Sequence, residues 1–369
     1  PKGEKPYRFN WQTPILLSSH NQDILYMGSE FLQRSMNQGE TWERISGDLT
    51  NGAKEGNVAF GTISTISESK FQFGLLYAGS DDGKIHVSKD GGVSWQLISG
   101  NLPQNLWVSR VVASSHKKER VYVTLNGYRN DNFESYAFVS EDFGATWTSI
   151  SNGLTQAVNV IVEDSANENI LYVGTDNGLF ISVDKGANWQ DFSNGMPKVA
   201  IHDAVIQTKA KELIVGTHGR SIYKMDISKV QELTKDVLAK NLHLFKVNDR
   251  TKSERWGSQN YAWGKPSEPS QTIWFYSNAD GIVNVSITNE AGMLVHAQKV
   301  EAKKGLNSFA YNYLLSKEVA EKWNKKDKNI KIKEAENKKF YLPVGKYKMT
   351  VSKDKVTETK SFEVTAPKK

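Results

Sequence analysis

The sequence predicts an all-β protein in which part of a β-propeller is followed by a small β-sandwich. Three observations carry the prediction. Four octapeptides of the form Ser-x-Asp-x-Gly-x-x-Trp, with Asn37 in place of Asp in the first, recur at blade-like spacing, β-rich runs ending in Gly recur upstream of them, and the last hundred residues fall into short alternating runs.

The octapeptides are SMNQGETW (35–42), SKDGGVSW (88–95), SEDFGATW (140–147) and SVDKGANW (182–189), starting 53, 52 and 42 residues apart. A short acidic or amide side chain accepts hydrogen bonds from turn amides, and a Gly two positions on takes positive φ at little cost. Asn37, Asp90, Asp142 and Asp184 are therefore expected to build hairpin turns. Trp42, Trp95, Trp147 and Trp189 are expected to pack between neighbouring blades, with the indole N–H free to find a partner.

Each octapeptide follows a run such as ILYMGS (24–29), LLYAGS (75–80), VYVTLNG (121–127) or ILYVGT (170–175), and each run follows one more apolar strand. Short strands in fours describe a propeller blade. A fifth unit, built on ELIVGT (212–217), lacks an octapeptide and ends in SKVQELTKDVLAKN (228–241), which reads as one amphipathic helix with Val230, Leu233, Val237 and Leu238 on a face. An open three-stranded edge is unfavourable. The expectation is an arc, the C-terminal blades of a larger propeller, completed by an upstream chain segment.

The domain reading is thus 1–227 for four blades and a closing half-blade, 228–270 for helix and linker, and 271–369 for an Ig- or fibronectin-III-like sandwich. Trp256, Tyr261 and Trp263 in the linker are read as packed on their neighbours, with a sugar-stacking platform as the other possibility. The stretch from Leu315 to Tyr341 interrupts the strands and is expected to be helical around Lys317 to Trp323.

Composition narrows the function classes. The chain of 369 residues has no Cys, which excludes disulfides, thiolate metal sites and Cys nucleophiles. No apolar run reaches the roughly 18 residues of a membrane span. The net charge of +6 includes a Lys-rich stretch at 322–339, but Lys alternates there with Asp, Glu and Asn, so no nucleic-acid partner is expected. The seven His show no zinc-type spacing, and neither metal nor cofactor is expected.

The run NWQTPILLSSHNQDILYMGS, the octapeptides, WVSRVVAS and VGTHGRSIY resemble exported bacterial Asp-box (BNR-type) β-propeller proteins of sortilin-like or glycosyl-hydrolase-like type. GLNSFAYNY (305–313) and PVGKYKMTV (343–351) resemble the FlgD- or fibronectin-III-like domain that closes many such chains. The resemblance implies a periplasmic, extracellular or outer-surface location and a longer parent polypeptide. Chemistry does not transfer with it, because propellers of this kind host hydrolases, sorting receptors and assembly factors. No arginine triad of sialidase type and no mappable xyloglucanase carboxylate pair is present.

Propeller geometry directs attention to the rim opposite the octapeptides. That rim carries Glu30, Asp81, Asp82, Asn126, Tyr128, Arg129, Asp176, Asn177, His218 and Arg220, with Trp107 and Arg110 where an inner strand begins. Glycoside hydrolysis needs two carboxylates about 5 Å or about 6.5–9.5 Å apart. Glu30, Asp81, Asp82 and Asp176 are the only candidates, and all lie in turns where acidic residues are favoured for backbone reasons. His218 and Arg220 stand out against acidic or amide-rich turns elsewhere. Arg220 either pairs with an inter-blade carboxylate while His218 caps the ring, or the two form a cationic contact for a carboxylate-bearing ligand. The reading is a non-catalytic binding or scaffolding module for a protein segment or polysaccharide. The alternative is a glycoside hydrolase of sialidase- or xyloglucanase-like type.

Overall fold

The computed structural model describes residues 6–56, 58–193, 195–259, 261, 263–327 and 330–367. Two compact units divide between Gln231 and Glu232.

The first unit is propeller-like, built of antiparallel sheets whose strands follow chain order. The first blade comprises β1 (Ile15–Leu17), β2 (Leu25–Gly28), β3 (Leu32–Ser35) and β4 (Glu43–Arg44). The second has β5 (Ile63–Glu68), β6 (Leu76–Ser80), β7 (Ile85–Ser88) and β8 (Gln96–Leu97). The third has β9 (Trp107–Ala113), β10 (Val121–Gly127), β11 (Asn132–Ser140) and β12 (Thr148–Ser149), and the fourth has β13 (Val158–Glu163), β14 (Leu171–Thr175), β15 (Gly178–Ser182) and β16 (Gln190–Asp191). A fifth sheet stops at three strands, β17 (Ile201–Gln207), β18 (Glu212–Thr217) and β19 (Ile222–Asp226).

Second strands read as continuous apolar runs because both of their faces are covered. Leu76 and Ala78 of β6 pack on Tyr26 and Leu32 of the first blade. Tyr77 and Leu75 point the other way, into a cluster with Val108, Val111 and Val123 of the third. β6, β10 and β14 are buried at every position, and it is this sheet-on-sheet burial, rather than alternation, that makes them strands.

The octapeptides are hairpin turns with one repeated geometry. The serine hydroxyl donates to the Asp or Asn at 2.7–3.0 Å and accepts the glycine N–H at 2.7–2.8 Å. The same carboxylate or amide oxygen accepts the N–H of the seventh residue, Thr41, Ser94, Thr146 or Asn188. Two successive residues take positive φ, for example Phe143 at 62° and Gly144 at 89°. Beyond the turn, Trp95, Trp147 and Trp189 donate Nε1 to the carbonyls of Ile45, Ile98 and Ile150 in the preceding blade, at 2.9, 2.8 and 2.6 Å.

A second inter-blade contact was not anticipated from the sequence. Glu68, at the end of β5, accepts bonds from Ser18 Oγ (2.7 Å), Ser19 N (3.3 Å) and Tyr26 OH (3.1 Å) of the first blade. Two blades on, Glu163 accepts bonds from Ser114 Oγ (2.8 Å), Ser115 N (2.6 Å) and Tyr122 OH (3.0 Å). His20 and His116 complete the repeat by bonding the carbonyls of Ser69 and Asp164. At the intervening junction Ala113 takes the glutamate position, and the Tyr77 hydroxyl is buried without a partner among the described residues. The sequence trace is Ser-Ser-His at 18–20 and 114–116, with a Tyr eight residues after the first Ser in each case.

The expected single helix over 228–241 is two short ones, α1 (Ser228–Gln231) and α2 (Lys235–Leu238). Thr234 separates them: it sits in extended conformation and its side chain accepts the Val237 N–H, starting a new helix. Val230, Leu233 and Val237 are buried as the apolar pattern required, and Leu238 is half-buried.

The second unit is a sandwich. Its strands are β20 (Leu242–Leu244), β21 (Arg250–Thr251), β22 (Gln271–Ser277), β23 (Gly281–Asn289), β24 (Leu294–Ala302), β25 (Gly305–Tyr311), β26 (Leu314–Leu315), β27 (Phe340–Tyr341), β28 (Gly345–Lys353) and β29 (Val356–Thr365), with α3 (Lys317–Lys326) between β26 and β27. One sheet runs β20-β22-β25 and the other β21-β29-β28-β23-β24. Ile273, Phe275, Val285, Tyr347, Met349 and Phe362 contribute to one core. The stretch read as linker thus supplies two strands. Trp256 is buried there, whereas Tyr261 and Trp263 are 65% and 87% exposed and stack on each other, so their packing against neighbours does not occur.

Candidate functional site

Every inner strand from the second blade onward carries a β-bulge at the rim opposite the octapeptides. Pairing skips Ser64, Ser109, Asn159 and His202, which are the extra residues of β5, β9, β13 and β17. A bulge re-aims a side chain out of the alternating pattern, and here all four side chains are polar or ionisable. Ser64 and Ser109 donate to the carbonyls of Val108 and Val158 in the next inner strand, each at 2.8 Å. Asn159 accepts from Asn126 Nδ2 (2.7 Å) and donates to Asp176 Oδ1 (2.8 Å). The His202 ring lies 5.2 Å from that of His218.

Beside these bulges stands an aromatic and cationic group. The Arg129 guanidinium lies over the Trp107 ring, 4.2 Å from its centroid, and its Nε donates to Tyr128 OH at 3.2 Å. Trp107 and Tyr128 rings are 6.2 Å apart, and Tyr128 is 46% exposed. Local backbone holds the group: Tyr128–Asn130 form a 3-10 turn whose first N–H bonds Asn126 Oδ1, and Asn130 Nδ2 bonds the Asn105 carbonyl. Arg110 reaches from β9 to Asp203 on β17 at 2.7 Å, linking the inner strands of the third and fifth blades.

The four candidate carboxylates have different surroundings. Asp81 is 2% exposed and accepts Thr62 N (2.9 Å), Thr62 Oγ1 (3.0 Å) and Asn10 Nδ2 (3.2 Å), with Arg129 Nη1 3.8 Å away. Burial pushes its carboxyl above the usual range, outweighing the Thr62 bonds that act the other way. Asp82, also buried, accepts Ser80 Oγ at 2.5 Å and Asn51 N at 2.7 Å. Glu30 is buried and accepts Arg8 N at 2.7 Å. Only Asp176 is exposed. Three of the four therefore close loops rather than face a ligand.

Asp90 and Asp142 lie in the octapeptide turns. Bonds from Ser94 and Thr146 hold their carboxyls down to about 2. Asn177 is exposed, and its N–H bonds Thr175 Oγ1. Arg220 is exposed and has no ion-pair partner among the described residues, so the inter-blade pairing considered for it does not form. His218 lies against His202. Among the described residues no cluster of three or more His, Asp or Glu is arranged to hold a metal ion.

Sequence reasoning missed Asn159, His202, Asp203 and the clasp made by Arg8 and Asn10. Arg8 bonds Asp48 (2.7 Å) and the Gly61 carbonyl (3.0 Å) besides Glu30. No motif marks these residues: a bulge, as at Asn159 and His202, shifts register without changing composition, and Arg8, Asn10 and Asp203 bond partners distant in sequence.

The family described as "Sortilin, neurotensin receptor 3" (Sortilin-Vps10) matches residues 30–157, well under half of the chain. No curated protein matches. Among solved structures, an ancestral GH74 enzyme is 15% identical, with a TM-score of 0.48 over 85% of this chain and 40% of that one. PorZ, a bacterial surface component of the type-IX secretion system of Porphyromonas gingivalis, is 15% identical, with a TM-score of 0.43 over 95% and 51%. The GH74 enzyme of Niastella koreensis is 17% identical, with a TM-score of 0.45 over 94% and 56%. The chain spans about 40 to 56% of the length of these proteins. Likeness at this level transfers no activity.

Proposed function

We propose that the propeller part is a non-catalytic binding module of Asp-box type whose ligand face is the rim around Trp107, Tyr128 and Arg129. The observation that carries this reading is the burial of Glu30, Asp81 and Asp82 beneath hydrogen bonds, which leaves Asp176 as the one exposed carboxylate of the four candidates. Among these four, a single exposed carboxylate does not make the acid–base pair that glycoside hydrolysis needs, and the rim carboxylate of Asp203 is paired with Arg110. On the same rim, the exposed Asn177 amide, the Tyr128 ring and the Arg129 guanidinium suit an extended polar ligand, a polysaccharide or a polypeptide segment. Export to the periplasm or cell surface belongs to the same proposal. The fourth-strand edge of the fifth sheet would be covered by an upstream segment.

Glycan and peptide arrays probed with the whole chain test it. Wild-type protein is expected to give saturable binding to one class, and Trp107→Ala and Arg129→Ala to weaken it at least tenfold. Unchanged binding by both variants overturns the assignment of the rim.

One observation favours the hydrolase reading. The Asp81 carboxyl is raised by burial, as a general acid would be. It faces Thr62 and Asn10, however, and has no exposed partner. Reducing-end release that disappears in Asp81→Asn or Asp176→Asn would establish that reading.

A further inference from the structure

Two histidines of the fifth sheet stand apart from the others. His20 and His116 bond carbonyls through the ring, His243 lies against Lys240 and Glu358, His296 lies against Gln298, and His86 Nδ1 is enclosed. His202 and His218 are both exposed, and among the described residues neither ring makes a hydrogen bond or an ion pair.

The hairpin of β17 and β18 brings them together. Ile201 pairs with Thr217 and Asp203 with Gly216, so His202, the extra residue of the bulge, lies level with the end of β18. His218 follows β18 directly, and its N–H bonds the Ala200 carbonyl at 2.9 Å. The loop beyond it is closed by Thr217, whose Oγ1 and N–H both donate to the Ser221 carbonyl, at 2.6 and 3.3 Å. A bulge re-aims a side chain out of the strand alternation, and backbone bonds on both sides fix the points from which the two rings project. The ring centroids lie 5.2 Å apart, with the planes inclined at 33°.

That separation is the one a shared metal ion requires. An imidazole nitrogen bonds zinc at about 2.0–2.1 Å, which places each ring centroid about 3.2 Å from the ion, and a tetrahedral angle then puts the two centroids about 5 Å apart. The neighbouring carboxylate does not join them: Asp203 Oδ1 accepts Arg110 Nη2 at 2.7 Å and Ala204 N at 2.9 Å. Nitrogen donors without a carboxylate disfavour Ca²⁺ and Mg²⁺, which take oxygen ligands, and suit Zn²⁺, Cu²⁺ or Ni²⁺.

We propose that His202 and His218 form a two-imidazole site for a divalent transition-metal ion of the zinc, copper and nickel class. Its remaining coordination positions are open to water or to a donor group of a bound ligand. Two protein donors are fewer than the three or four that hold resident zinc, so the ion is exchangeable. The site shares no residue with the group at Trp107, Tyr128 and Arg129, and its test is independent of what that group binds.

Calorimetric titration of the untagged 369-residue chain with ZnCl₂ tests it, with MgCl₂ as the comparison. One Zn²⁺ per chain is expected, bound at least tenfold more weakly by His202→Ala and equally so by His218→Ala, with no saturable uptake of Mg²⁺. Both side chains are exposed, so each variant should keep the far-UV circular dichroism of the wild type. Imidazole proton NMR gives a second reading in the wild-type protein, in which the His202 and His218 resonances should move together as Zn²⁺ is added. Absence of saturable Zn²⁺ binding by the wild type overturns the proposal. So does binding that survives either substitution, which would place the ion elsewhere on the surface, and so does equal binding of Mg²⁺.

Discussion

Replacing Glu163 by alanine probes the inter-blade contact most severely. The side chain is almost fully buried and receives Ser114 Oγ, Ser115 N and Tyr122 OH at 2.6–3.0 Å. The serine hydroxyl can turn, but the Ser115 amide and the Tyr122 hydroxyl cannot reach another acceptor without moving the sheets. Leaving each unsatisfied costs about 1–3 kcal/mol, so the expected loss is about 4 kcal/mol. Arg120 adds little to this, because it keeps Glu141 at 2.7 Å and Glu168 at 3.1 Å. For a unit of this size the loss corresponds to a Tm lower by about 8–16 °C. Guanidinium unfolding followed by far-UV circular dichroism reads the difference, and the double variant Tyr122→Phe/Glu163→Ala should recover about 1–2 kcal/mol by removing an orphaned hydroxyl. A Glu163→Ala protein within about 0.5 kcal/mol of wild type would mean that the bonds to Glu163 do not hold this junction together.

The other predictions use the same differences between blades. Tyr77→Phe, which deletes a buried hydroxyl without a partner, is expected to be neutral or to stabilise by about 1 kcal/mol in the same unfolding assay. Gly144→Ala, at φ 89° with its new Cβ 2.4 Å from Ile98 Cδ1, should lower Tm far more than Gly39→Ala, which has similar φ but whose new Cβ meets the Trp42 ring at an ordinary contact distance of 3.7 Å. Burial, with Lys84 nearby, brings the His86 imidazole down to about 4. The unfolded chain then binds more protons than the folded one between pH ~6.5 and ~4, so stability is lost as pH falls through that window, by about 3 kcal/mol at most. His86→Phe should flatten that part of the stability–pH profile.

How much could be read beforehand differed by element. The octapeptides were legible because turn chemistry is local: one Asp, one Gly and one Ser suffice, and the three inner Trp side chains follow at fixed distance. Strand identity in β6, β10 and β14 was legible for a different reason, since burial on both faces leaves an uninterrupted apolar run. The break at Thr234 was not, because a cap inside a continuous apolar pattern competes with the helix on a small local energy. At the rim, Trp107, Tyr128 and Arg129 were picked out by residue type and come together. Asp81, Asp82 and Glu30 were placed on the right turns, but their burial depends on Thr62, Asn51 and Arg8, which are distant in sequence. Asn159 and His202 owe their positions to bulges, and a one-residue register shift leaves no compositional trace.

Binding without cleavage at the rim is separated from hydrolysis by measuring reducing-end release from every oligosaccharide the wild-type chain binds, alongside Asp81→Asn and Asp176→Asn. A rim that only binds gives no release above a heat-inactivated control and unchanged binding by Asp81→Asn. Release by the wild type that is abolished in Asp81→Asn would show that the rim cleaves.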